Sequence, residues 1–312
     1  MMDYSTIVFL THSIAINEEN KNPFLDTHKP YSYNEQPTRT LIFFNPDRID
    51  TRIMEILFLG TGTSTGVPSL CCNCEVCQSD DVRNKRLRSS ILVRENGHTI
   101  LVDTSTDLRQ QCLRYNINKI DTVLYTHHHA DHVHGIDELR SFNFFNKTAL
   151  PCYGNQHTLD NLKKNFSYIF GQAEQIGGGI PQIIPNTFED KTYNFGGIPV
   201  TPLDIQHGKL IINGFRFKDC AYITDCSGIP DHTMEKLKGL KLLILNALGF
   251  KDHATHFNLS QALDAAKTIQ AERTIFTHIN HQFDFEKISK DLPKGVELAI
   301  DGMKLNFSIH SE

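Results

Sequence analysis

Directly after the short apolar run Thr122–Tyr125, the chain reads Thr126-His127-His128-His129-Ala130-Asp131-His132. Read as His-x-His-x-Asp-His, this places four metal-ligand side chains within six residues. In an extended turn, residues i and i+2 point the same way. His127 and His129 can therefore chelate one ion, while Asp131 and His132, at the entry to a following helix, are displaced towards a second. Neutral imidazoles suit zinc, iron and nickel, and the carboxylate adds tolerance for manganese. A chance run of surface histidines is the bland alternative. Against it stand the Asp, the apolar strand before the motif and Gly135 after it.

Cysteine usage points the same way. Four of the eight cysteines, Cys71, Cys72, Cys74 and Cys77, fall within seven residues. That is too tight for free mutual pairing and suits wrapping a metal. Thiolate ligands need a reducing compartment, so the expected location is the cytoplasm. Cys112, Cys152, Cys220 and Cys226 read as buried small hydrophobes. Acidic side chains outnumber basic ones by 36 to 31, a net charge of −5, which argues against a broad nucleic-acid surface. No apolar run reaches the 18 or so residues a membrane helix requires. The weakly apolar Thr6–Ile16 lacks a basic n-region and makes a poor signal peptide.

At about 150 residues per domain, 312 residues suggest two domains, although one α/β domain can reach about 250. The text changes character at Met54. Residues 1–53 carry a polar tract, Asn17–Arg39, and read as an accessory extension; the alternative is that Ile7–Leu10 and Thr40–Phe44 add strands to the domain. Residues 54–312 read as one domain of normal size. It opens with the strand Met54–Gly60 and continues with strands at Ser90–Val93, Thr99–Asp103, Thr122–Thr126, Val200–Gln206, Ala221–Thr224, Lys241–Asn246, Arg273–Thr277, Val296–Ile300 and Leu305–Ile309. A helix is predicted over Leu259–Ala271, with Asn258 and Gln261 spaced as a capping pair. The Gly/Pro-rich stretch Phe170–Pro185 reads as a loop near a site. Strands mixed with helices throughout mean a layered α/β fold.

The His-x-His-x-Asp-His signature, with acids and histidines recurring at later strand ends, resembles the metallo-β-lactamase superfamily, over about 250 residues from Met54. The resemblance implies a four-layer αββα sandwich. It also implies the remaining ligands: His207 in Pro202-Leu-Asp-Ile-Gln-His207, a bridging Asp225 in Ala221-Tyr-Ile-Thr-Asp225, and His278 in Thr274-Ile-Phe-Thr-His278. Asp103, after Thr99–Val102, matches a supporting aspartate behind the ligands. His127, His129 and His207 would hold one divalent ion, Asp131, His132 and His278 the other. Manganese, zinc and iron are all compatible. Two ions about 3.5–4 Å apart can share a hydroxide and clamp a phosphoryl or carbonyl oxygen, which points to hydrolysis.

Cys72-x-Cys74-x-x-Cys77, after the Gly60–Gly66 loop, is similar to the zinc knuckle of the phosphoribosyl 1,2-cyclic phosphate phosphodiesterases of phosphonate breakdown (PhnP). That likeness implies His281 as fourth ligand, a closed Cys₃His structural zinc site, and a small phosphorylated substrate. Cys71 competes with Cys72 on spacing, and Cys72 is preferred on the family pattern; a redox cysteine pair is the remaining alternative. The phosphodiesterase branches also imply His256 as the acid that protonates the leaving oxygen, preferred over His253. The Gly60–Gly66 loop carries no binding expectation, and the basic run Arg83, Lys85, Arg86 and Arg88 reads as a solvated face rather than a phosphate contact. Rival readings are a tRNA 3′-processing endonuclease, a thioester or lactone hydrolase, and a non-catalytic metal-binding scaffold. A homodimer is compatible with the resemblance, and membrane association is not expected.

Overall fold

A computed structural model describes residues 53–171 and 179–308. The readings for the N-terminal extension, for Thr6–Ile16 and for the middle of the Phe170–Pro185 stretch lie outside the described residues. The strands form two seven-stranded sheets. The first contains β1 (Ile53–Gly60), β2 (Ser90–Glu95), β3 (His98–Val102), β4 (Thr122–Leu124), β5 (Leu150–Gly154) and β6 (Ile183–Thr187) in spatial order. The second contains β7 (Tyr193–Phe195), β8 (Ile198–His207), β9 (Leu210–Phe217), β10 (Cys220–Ile223), β11 (Leu242–Asn246), β12 (Arg273–Thr277) and β13 (Val296–Leu298). The last strand, β14 (Lys304–Ser308), returns to pair antiparallel with β1.

Side-chain alternation along these strands builds the layers. Met54, Ile56 and Phe58 of β1 point between the sheets, where they meet Val200, Phe215, Tyr222 and Ile275. Leu57 and Leu59, one residue out of phase, face outwards onto helical residues Leu108, Val133, Leu139, Phe142 and Leu162. On the far side, Leu243 and Leu245 face Ala262, Ala266 and Ile269 of the Leu259–Ile269 helix. That helix begins with a complete capping box between Asn258 and Gln261, which satisfies two otherwise orphaned backbone donors. The result is the four-layer helix–sheet–sheet–helix sandwich that the resemblance implies.

One reading needs correction, and β5, β7 and β9 lie outside the expected strands. The end of the supposed loop Phe170–Pro185 is part of β6, which pairs parallel with β5 from Leu150↔Ile183 to Gly154↔Thr187. Pro185 concealed it, because proline is tolerated in a strand whose N–H side faces no partner, at a sheet edge. β9 also escaped the pattern, since Asn213 and Gly214 interrupt its apolar run. No helix among the described residues is long and apolar enough to cross a membrane.

Candidate metal centre

Strands β3 to β6 run parallel, as do β10 to β13. Their carboxyl ends therefore collect at one edge of the sandwich, where open α/β sheets place ligands. Asp103 follows β3, the histidine motif follows β4, His207 ends β8, Asp225 follows β10 and His278 follows β12. Asp103, Asp225 and His278 all have left-handed backbones, with φ of 64°, 55° and 55°. Such conformations are uncommon for non-glycine residues and collect at functional sites.

One ring nitrogen from each of His127, His129 and His207 falls within a single 4.8 Å cluster. Nδ1 of His207 lies 2.7 Å from the carbonyl of Asp225 and 2.9 Å from that of Thr255. Carbonyls only accept, so that nitrogen carries the proton and Nε2 keeps its lone pair. Nε2 of His127 is buried with no hydrogen-bond partner. A second 4.8 Å cluster joins Asp131, His132, Asp225 and His278. Nε2 of His132 is 3.2 Å from Asp131 and 3.3 Å from Asp225 Oδ2, yet it too lacks a hydrogen bond. Asp225 Oδ1 lies 3.3 Å from His278 Nε2 and 4.0 Å from His127 Nε2, so this carboxylate faces both clusters.

Electrostatics favour a cation here. Burial pushes His127 well below the usual imidazole range, and His278 down to about 4. Burial also lowers His129. His132 moves the other way. Desolvation opposes its charge, but the carboxylates of Asp225, Asp131 and Asp103 outweigh it and hold the proton on. Burial likewise opposes ionisation of Asp225, and the His278 and His132 charges overcome it, keeping that carboxyl well below its normal range. Buried carboxylates, the neutral imidazoles of His127, His129 and His278, and a His132 proton that the surrounding carboxylates hold where a cation would replace it, form a donor set that fits divalent metal ions.

His256 is buried, with Nε2 3.0 Å from Asp225 Oδ1. Its ring stacks on His278 at 5.0 Å and meets His207 edge-on at 4.9 Å. His253 is exposed and stands behind it, Nδ1 to Nδ1 at 3.0 Å. The expected acid is thus close enough to form a third donor group with His207 and Asp225, a proximity that sequence spacing did not reveal.

Cys72, Cys74, Cys77 and His281 form the remaining cluster. His281 Nδ1 is 3.3 Å from both Cys72 and Cys74 Sγ. The Cys77 backbone N–H and then His281 draw the Cys74 thiol down to about 6, while burial raises Cys77 to about 11. Cys71 is exposed, with φ 61°, and stands outside the group. The other four cysteines are buried, with thiols raised chiefly by burial.

The basic run is not a solvated face. Arg86 is 2% exposed and donates to Asn84 Oδ1 and the carbonyls of Asn280 and Phe283. Arg83 pairs with Asp81 and Glu286, and Arg88 with Asp107. In the Gly60–Gly66 loop, Thr63 Oγ1 lies 3.3 Å from His278 Nε2. Ser89 Oγ is 3.3 Å from His278 Nδ1. Neither residue carried a sequence signal, because isolated Ser and Thr are common in loops.

The sequence model of the beta-lactamase superfamily domain matches residues 98–279. A solved structure described as a new diphosphatase from the PhnP family is 40% identical, with a TM-score of 0.77 over 82% of this chain and 97% of that one. Zn²⁺-bound PqqB from Methylobacterium extorquens shares the fold, at 20% identity and a TM-score of 0.67 over 81% of this chain and all of that one. An octanoyltransferase of Porphyromonas gingivalis is 34% identical over 254 residues, 80% of this chain. The chain spans about half of that relative's length, 51%.

Proposed function

The chain belongs to the beta-lactamase superfamily, and from that membership we propose a metal-dependent phosphodiesterase that opens a small cyclic phosphate such as 5-phosphoribosyl 1,2-cyclic phosphate. The observation that carries this reading is Asp225, whose carboxylate faces both donor clusters and also His256. His127, His129 and His207 would hold one ion, Asp131, His132 and His278 the other, with Asp225 between them. Divalent ions, when bound, supply a water acidic enough to ionise near neutral pH and positive charge against phosphoryl oxygens.

The chain's own part is orientation and proton delivery. Asp103 and the backbone carbonyls of Asp225 and Thr255 fix the imidazole tautomers. As a new P–O bond forms and the ring ester bond breaks, His256 gives its proton to the departing alkoxide. Such a step contributes about 10²–10⁴-fold. Cys72, Cys74, Cys77 and His281 would hold a structural zinc, which fits a reducing cytoplasm.

A second reading, cleavage of a diphosphate, is favoured by the 40% identity to a PhnP-family diphosphatase. The two differ in leaving group. A sugar alkoxide is far more basic than phosphate and depends more on a proton donor.

The test is turnover of 5-phosphoribosyl 1,2-cyclic phosphate and of a nucleoside diphosphate by the metal-loaded full chain, with Asp131→Ala and His256→Ala alongside. Cyclic ester turnover, abolished in the first variant and strongly reduced in the second, supports the first reading. Diphosphate turnover that barely depends on His256 supports the second. Turnover of neither, in a protein holding its ions, rejects both and brings forward thioester or tRNA substrates.

A further inference from the structure

His278 and His281 lie three residues apart on one turn, yet they belong to different donor clusters. Arg86 holds that turn from within. Its Nη2 donates to the Phe283 carbonyl at 2.9 Å and to Asn84 Oδ1 at 3.2 Å, and Nη1 reaches the Asn280 carbonyl at 3.4 Å. Asn84 reinforces the grip, accepting from the Phe285 N–H at 2.9 Å and donating to Asp284 Oδ2 at 3.2 Å. On its other side, Arg86 exchanges backbone hydrogen bonds of 2.7 and 2.8 Å with Val67. Val67 packs with Val76, Cys77, Cys72 and Cys74. The backbone of Gly62 closes the remaining side, where a Cβ would stand 2.9 Å from the Arg86 carbonyl.

Arg86 forms no ion pair among the described residues. Burying a guanidinium without a paired carboxylate is unfavourable, and hydrogen bonds to carbonyls offset only part of that cost. Here Nη1 and Nη2 reach the two carbonyls flanking His281, on the segment that also carries His278, while Nε is buried without a partner. A planar fork fixes the relative positions of its acceptors in a way a lysine ammonium does not.

We propose that Arg86 is a positioning residue that ties the cysteine cluster to the histidine–aspartate cluster, so that zinc held by Cys72, Cys74, Cys77 and His281 sets the orientation of His278 and thereby the affinity of the Asp131/His132/Asp225/His278 site for its ion. The inference rests on reading both clusters as metal sites and is independent of the substrate.

The experiment is a double-mutant cycle on the full chain with Arg86→Lys, Cys74→Ser and the pair. Manganese, which thiolates hold poorly, is titrated into protein given one equivalent of zinc for the cysteine cluster and freed of other metal by a chelator, and is read by the electron paramagnetic resonance of the free ion; zinc content is measured in parallel. Each single variant is expected to weaken manganese binding about tenfold, within the usual range for coupled sites. The double variant is expected to be no worse than the weaker single, because both act through one turn. Melting curves confirm that titrations are made well below unfolding.

Manganese affinity within twofold of wild type in folded Arg86→Lys, or additive losses in the double variant, overturns the proposal. Should Arg86→Lys fail to fold, Cys74→Ser decides: zinc lost with manganese binding unchanged also overturns it. If wild type binds no manganese or zinc at the histidine–aspartate cluster, the functional reading falls as well, whereas binding without coupling removes only this inference.

Discussion

His132 Nδ1 lies 2.8 Å from Asp103 Oδ2, and both side chains are sealed from solvent. Asp103 also accepts from the Thr126 N–H at 2.8 Å and the Thr126 hydroxyl at 2.7 Å. Its carboxylate thereby fixes the proton of His132 on Nδ1 and turns Nε2 towards Asp131 and Asp225. In Asp103→Asn the oxygen is expected to stay on the Thr126 N–H, placing an amide donor against His132. The imidazole must then carry its proton on Nε2, the wrong tautomer for a ligand. Loss of about 10–100-fold in metal affinity is expected, measured by competition with a chelator, in a protein that still folds.

The role of His256 separates by leaving group. Removing a proton donor hurts most when the departing oxygen is basic. His256→Ala should lower kcat on an alkyl phosphodiester by about 10²–10⁴-fold and on a nitrophenyl phosphodiester far less. Equal losses on both substrates would instead indicate that His256 holds an ion with His207 and Asp225.

Adjacent cysteines should behave differently. Cys72→Ser removes a thiol 3.3 Å from His281 Nδ1 and is expected to lower the zinc content of the purified protein. Cys71→Ser alters an exposed side chain and should leave zinc content at the wild-type level. Elemental analysis of the two purified variants checks this.

Stability should carry the signature of Asp301. Burial raises its carboxyl from 3.8 to about 6, even though the Leu87 N–H and the Thr61 hydroxyl donate to it at 2.8 Å. A carboxyl with a raised folded pKa holds its proton longer when folded. Its contribution to stability is therefore full below pH 3.8 and is lost as the pH rises through about 6. Asp301→Asn mimics the protonated pattern, donating to Thr61 and accepting from Leu87. Relative to wild type, the variant should gain up to about 3 kcal/mol between acid and neutral pH. Denaturant unfolding across that range would refute the assignment if the difference stayed flat.

Much of the candidate site was legible, partly from residue types and partly through the family resemblance. His127, His129, Asp131 and His132 sit within one short segment, and Asp103, His207, Asp225 and His278 each mark a strand end that apolar alternation had already located. Strand β12 and the capped helix after Asn258 were readable for the same local reason. β6 was not, because an edge strand lacks the two-sided apolar pattern and tolerates Pro185.

The sequence by itself determined the His127/His129/Asp131/His132 run and the layered α/β architecture, since both follow from residue types at short range, whereas Asp103, His207, Asp225 and His278 were singled out by the family resemblance. Tertiary structure decided what depends on residues far apart in the chain. Cys72 and His281 meet across 209 positions, so only folding selects Cys72 over Cys71. Arg86 reaches the carbonyls of Asn280 and Phe283 across 194 and 197 positions, and its charge gave no sign that it would be buried. His256 comes within 3.0 Å of Asp225 across 31. Local patterns encode which side chain a position offers; which neighbour it meets is set by the packing of two sheets whose strands are far apart in sequence.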